Sequence, residues 1–138
     1  MSVIFVATSK SLSQWASDVG LTKFIFKVGL AEDKVEDSLE AMITEGFAGE
    51  SDWKLLKKQT NDGEVDENVV IDRLAARERM IDPAIYPKIK GGRGIFKVKI
   101  ANVLNHMLIS RALAGENIKI DKVKPADIAA YLFKNGLE

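Results

Sequence analysis

Two kinds of hydrophobic repeat alternate along this chain, and the alternation limits the folds open to it. SVIFVAT at 2–8 is short, apolar and β-branched, the signature of a buried strand. In LTKFIFKVG at 21–29, Phe24, Phe26 and Val28 fall on one face and Ile25 and Lys27 on the other, with Gly29 expected to end the strand. Then the period changes. Val35, Leu39, Met42, Ile43 and Phe47 recur at offsets 0, 4, 7, 8 and 12, one apolar stripe on a helix. Asp33 and Glu36 open that helix at a spacing close to a capping box, and Gly46 and Gly49 close it. A chain that switches between these periods builds a layered domain of helices and strands.

The remaining segments extend the pattern. Ser9 or Ser11 caps a short helix that Gly20 ends. SDWKLLKKQ at 51–59 reads as a third strand, with Trp53 in the core or at its rim. TNDGEVDE at 60–67 is a polar surface loop. NVVIDRLAARERMI at 68–81 predicts a single helix carrying Val70, Leu74, Arg77 and Glu78, stopped by Asp82-Pro83. YPKIKGGRG at 86–94 is an irregular basic loop, and IFKV at 95–98 a short strand or the entry to a helix.

Ile100, Val103, Leu104, Met107 and Leu108 predict another buried helical stripe, with His106 beside it and Gly115 at its end. NIKIDKV at 117–123 adds a small edge strand, and Pro125 begins a last helix that Gly136 ends. The expected fold is α+β: a small central three-stranded, mainly antiparallel sheet flanked by helices, with a C-terminal helical extension covering one side of it. One domain is expected over residues 1–138, its core at about 3–100 and the extension at 101–138.

Composition narrows the function classes. With 46% hydrophobic residues, 138 residues can bury a sizeable core. No run approaches the ~20 apolar residues of a membrane span, so no membrane partner is expected. The N-terminus enters a strand at once without a basic leader, so no signal peptide is expected. The chain has no cysteine, which removes disulfides, thiolate metal sites and cysteine nucleophiles, and fits a cytoplasmic location. Its zero net charge conceals a split: residues 1–69 hold 7 Lys and Arg against 13 Asp and Glu, residues 70–138 the reverse, 13 against 7. From Asp82 to Glu116 there is no intervening acid, only Lys88, Lys90, Arg93, Lys97, Lys99 and Arg111. Such a stretch forms either a basic patch for a polyanion or a solvated face neutralised by the acidic half.

IFV at 4–6, KVG at 27–29, the helix after Gly29, RERMI at 77–81 and GIFKV at 94–98 form an ordered set. Together they resemble the GIY-YIG nuclease superfamily, especially its phage-type DNA-binding branch, over roughly residues 3–100. IFV and KVG stand where that family carries its two tripeptides, and Glu78 stands where it carries its helical acid. The resemblance implies a sheet-and-helix nuclease core and DNA as ligand, but in degenerate form. Phe5 and Lys27 occupy the positions of the family's tyrosines, and the segment DSL at 37–39 replaces its arginine, with Lys34 the nearby cation. Losing one electrostatic donor costs on the order of 10²–10³ in rate. Losing the hydroxyls as well argues against an enzyme.

Three readings follow. In the leading one the chain binds nucleic acid, DNA above all, through residues 86–99. Lys27, Arg73, Arg77, Lys88, Lys90, Arg93 and Lys97 would contact phosphates, Tyr86 would stack on a base, and Gly91, Gly92 and Gly94 would let the backbone approach a phosphate. In the second, Glu78 is the catalytic acid of a metal-dependent endonuclease and holds Mg²⁺, with Tyr86 and Arg77 as partners. Mg²⁺ is the one cofactor considered, and only there; the ordinary alternative for Glu78 is a helix acid paired with neighbouring arginines. In the third, the domain is an interaction or assembly module, its acidic and basic halves pairing head to tail in a homo-oligomer. Phe5, Phe26 and Phe96 are expected in the core.

Overall fold

The computed structural model describes residues 2–21, 24–32, 34–61, 63, 65–89, 92–115 and 123–137. Its elements run β1 (Ser2–Ser9), α1 (Lys10–Asp18), β2 (Ile25–Ala31), α2 (Val35–Glu45), β3 (Trp53–Asn61), α3 (Glu67–Ala75), β4 (Arg79–Met80), β5 (Ile95–Lys97), α4 (Ile100–Leu113) and α5 (Pro125–Leu137). One five-stranded sheet has the order β3-β1-β2-β5-β4, with every neighbouring pair antiparallel. The fold is α+β as expected, with five strands rather than three. None of the helices in the described residues is long and apolar enough to cross a membrane.

The inner strands are apolar on both sides because helices cover both faces of the sheet. On one face Ile4, Val6, Phe26, Val28 and Phe96 pack against Val70 and Leu74 of α3, Val103 of α4 and Ile128 and Leu132 of α5. On the other, Val3, Phe5, Ala7 and Ile25 pack against Leu12 and Ala16 of α1 and Val35 and Met42 of α2. The face alternation read from 24–28 therefore holds. Phe5, Phe26 and Phe96 are core residues, and Trp53 is buried with its indole N–H donating to the Phe47 carbonyl at 2.9 Å.

Ser9 caps α1, accepting from the Leu12 N–H at 3.1 Å. The proposed cap Asp33 and most of the expected strand at 117–123 lie outside the described residues. Gly29 does not end β2, which pairs with β1 as far as Val3↔Ala31. Gly29 is instead the register partner of Phe5, whose ring lies over it; a β-carbon there would come within 2.7 Å of the Phe5 ring.

Three further expectations are corrected. The helix expected over 68–81 stops at Ala75, and residues 79–80 form β4. Leu74 packs in the core beneath α3 and α5, whereas Ile81 packs with Ile89 and Ile95 on the opposite face. No continuous helix reaches both, so the chain must turn around the sheet edge between them. The α4 stripe is also shallower than expected: only Val103 is buried, Leu104, Met107 and Leu108 are half-buried, and Ile109 and Leu113 are exposed. Gly136 lies inside α5 rather than past its end, where a β-carbon would meet Val70 of α3 at 2.9 Å. The glycine permits that close helix–helix approach.

Candidate nucleic-acid interface

The turn between α3 and β4 creates the candidate site. Glu78, 4% exposed, leaves the helix axis and turns its carboxylate beneath the start of α4. Oε2 accepts the Lys99 backbone N–H at 3.0 Å; Oε1 accepts the Asn102 amide at 3.0 Å and the Tyr131 hydroxyl at 2.8 Å. Three donors thus hold one buried carboxylate, the condition under which such a charge is tolerated. The negative group also lies at the N-terminus of α4, where the helix dipole favours it. Burial raises the Tyr131 phenol above its ordinary value, and the bond to Glu78 adds to this, so the phenol keeps the proton it donates. His106 stacks edge-on against Tyr131, with ring centroids 5.5 Å apart.

Above this floor opens a cleft of about 600 Å³, lined by Phe24, Arg77, Glu78, Arg79, Lys97, Val98, Lys99, Ile100 and Asn102. Four of these are cations, and among the described residues none of the four has an ion-pair partner. Arg79 and Lys97 are direct cross-strand partners. Like charges placed directly opposite destabilise a strand pair, a cost that an anion bound between them would remove. A second compartment of about 400 Å³ shares Arg77 and Asn102 with the first and is otherwise lined by Ala76, Asn105, His106, Ile109, Tyr131 and Asn135.

The structure brings Arg77, Glu78 and Lys97 together and places the other expected site residues that it describes elsewhere. Lys27 is buried: its ammonium donates to the Arg93 carbonyl at 2.7 Å, lies 3.9 Å from Glu67 and sits 5.0 Å from the Phe47 ring centroid. Burial lowers its pKa, with Glu67 partly opposing the shift. Arg93 donates to the Asn68 side chain, and Arg73 to the Gly136 carbonyl at 3.3 Å. Lys88 pairs with Glu50 at 2.6 Å. Tyr86 is half-buried, edge-on to Trp15 at 5.7 Å, so its ring is already engaged. Lys90 and Gly91 lie outside the described residues.

Gly92 and Gly94 serve the protein's own packing rather than a phosphate. A β-carbon on Gly92 would meet the Ile89 carbonyl at 2.9 Å; one on Gly94, where φ is +82°, would meet the Val28 carbonyl at 2.7 Å. Glu78 is not a helix acid paired with neighbouring arginines, since its partners are Lys99, Asn102 and Tyr131. Sequence reasoning passed over Arg79 and Lys99 as site residues. Their signal was the spacing of cations at 77, 79, 97 and 99, two alternating pairs on either side of the basic loop. Comparison with family models, curated proteins and solved structures finds no match to this chain. The GIY-YIG resemblance therefore rests on the residues quoted for it alone.

Proposed function

We propose that the chain binds nucleic acid through the cleft of Arg77, Arg79, Lys97 and Lys99, as a degenerate GIY-YIG-like domain that binds without cutting. The observation that carries this is the gathering of four cations, without acidic partners among the described residues, in one concave site. Proteins ordinarily separate or neutralise such charges, and a phosphate backbone is the ligand that repays leaving them together. Binding is favoured over catalysis because both Glu78 oxygens are already taken by neutral donors. The carboxylate instead positions Lys99 and the start of α4.

Fluorescence anisotropy with a labelled oligonucleotide tests the proposal at two salt concentrations. Four phosphate contacts predict a log–log salt slope of roughly −3 to −4. Micromolar protein giving no anisotropy change at low salt overturns it.

A further inference from the structure

The compartment beside the cationic cleft differs from it in chemistry. Arg77 is the one Lys or Arg among the residues that line it, while Asn102, Asn105 and Asn135 bring amides and Ile109 an apolar surface. Among the described residues the Asn105 amide has no hydrogen-bond partner, so it has both donors and its acceptor to offer. Asn135 spends its Nδ2 on the Tyr131 carbonyl at 2.8 Å and keeps its carbonyl oxygen. Such a lining suits a flat heterocycle with polar edges better than a phosphate: amides pair with base edges, and a guanidinium plane and an aliphatic side chain cover its faces. Arg77 and Asn102 form a wall common to both compartments. A nucleotide whose phosphate lies among the cations therefore has its base within reach of the amides.

We propose that the second compartment is a nucleobase subsite and that the preferred ligand is single-stranded nucleic acid. This rests on the proposed function and deepens it. A base in a duplex stays stacked and shows only its groove edges, whereas a base entering a compartment between α4 and α5 must be unpaired. Cations for the backbone beside a platform for bases is the general plan of single-strand recognition.

The test compares four probes of equal length by anisotropy: single-stranded DNA, single-stranded RNA, duplex DNA and an abasic single strand carrying the same phosphates. Base-bearing single strands of either sugar are expected to bind about tenfold tighter than the abasic strand, the scale of one stacked base, and tighter than duplex. The double variant Asn105→Ala/Ile109→Ser, both at exposed positions, is expected to remove that tenfold and leave abasic affinity within twofold. Circular dichroism and the thermal midpoint check its folding. Equal binding of abasic and base-bearing strands overturns the subsite while leaving the cationic cleft standing. So does a duplex preference, or a base contribution that survives the double variant. Absence of binding to every probe overturns the cationic cleft, and the subsite with it.

Discussion

At one edge of the sheet β3 sets Lys54, Lys57 and Lys58 into solvent; at the other, β4 and β5 set Arg79 beside Lys97. Both edges are basic, and both border a groove. The β3 groove, about 340 Å³, is lined by Lys57, Lys58, Gln59, Ala130, Phe133, Lys134 and Leu137. Lys58 there pairs with Glu36 at 2.8 Å, with both side chains at least half exposed. Lysines on an edge strand stop it from pairing with another chain, and this arrangement needs no further purpose. The β4 edge differs in what lies beneath its cations: a buried carboxylate with three donors, which fixes where Lys99 and α4 begin. Positive charge alone does not define a site; a preorganised floor under it does.

Removing that floor gives the largest expected effect. Glu78→Ala leaves a buried hydroxyl, an amide and a backbone N–H without their acceptor, and should cost about 3 kcal/mol in urea unfolding. Lys58→Ala at the other edge should leave the midpoint unchanged; comparable losses at both edges would erase the distinction. Next comes affinity. Arg79→Glu with Lys97→Glu should weaken oligonucleotide binding at least tenfold and flatten the salt slope, whereas Lys57→Glu with Lys134→Glu should change it less than twofold. A reversed ranking would move the interface to β3.

Two smaller effects depend on pH. Tyr131→Phe should cost about 1 kcal/mol near neutrality. Because the folded phenol is raised above its ordinary 10.0, the advantage of wild type over this variant is complete below that pH. It declines as pH rises through the folded value. Lys27 acts in the opposite sense and most weakly. Its folded pKa lies below 10.5, so the unfolded chain binds more protons in that window, and wild type should gain on Lys27→Met as pH rises toward 10.5. Parallel pH profiles for wild type and either variant would remove that residue from the account.

What could be read from the sequence was local. The faces of β2 follow a period of two over five residues, and the stripe Val35, Leu39, Met42 and Ile43 follows a helical period within one element. Residues 79–80 were illegible as a strand, because their pairing partners are Phe96 and Lys97 and nothing before Asp82 breaks the helical pattern of α3. The site divided in the same way. Arg77, Glu78 and Lys97 could be selected as charges in a basic region, but Asn102 and Tyr131 reach Glu78 from 24 and 53 residues away. No spacing announces bonds of that kind. Nor does it reveal that Lys88, Arg93 and Tyr86, attractive as free groups, are engaged by Glu50, Asn68 and Trp15.

The carboxylate of Glu78 collects donors from residues 99, 102 and 131, and this separation has a consequence during synthesis. A growing chain can pair β1 with β2 once residue 31 has emerged, and domains tend to organise from the N-terminal side as they are made. The cations at 77, 79, 97 and 99 appear well before the residue that completes the floor beneath them. Until Tyr131 leaves the ribosome, the nascent chain carries the charges of the cleft without its shape, beside a large excess of ribosomal RNA. The floor of the cleft is thereby completed only when Tyr131, in the second turn of α5, brings its hydroxyl to Glu78.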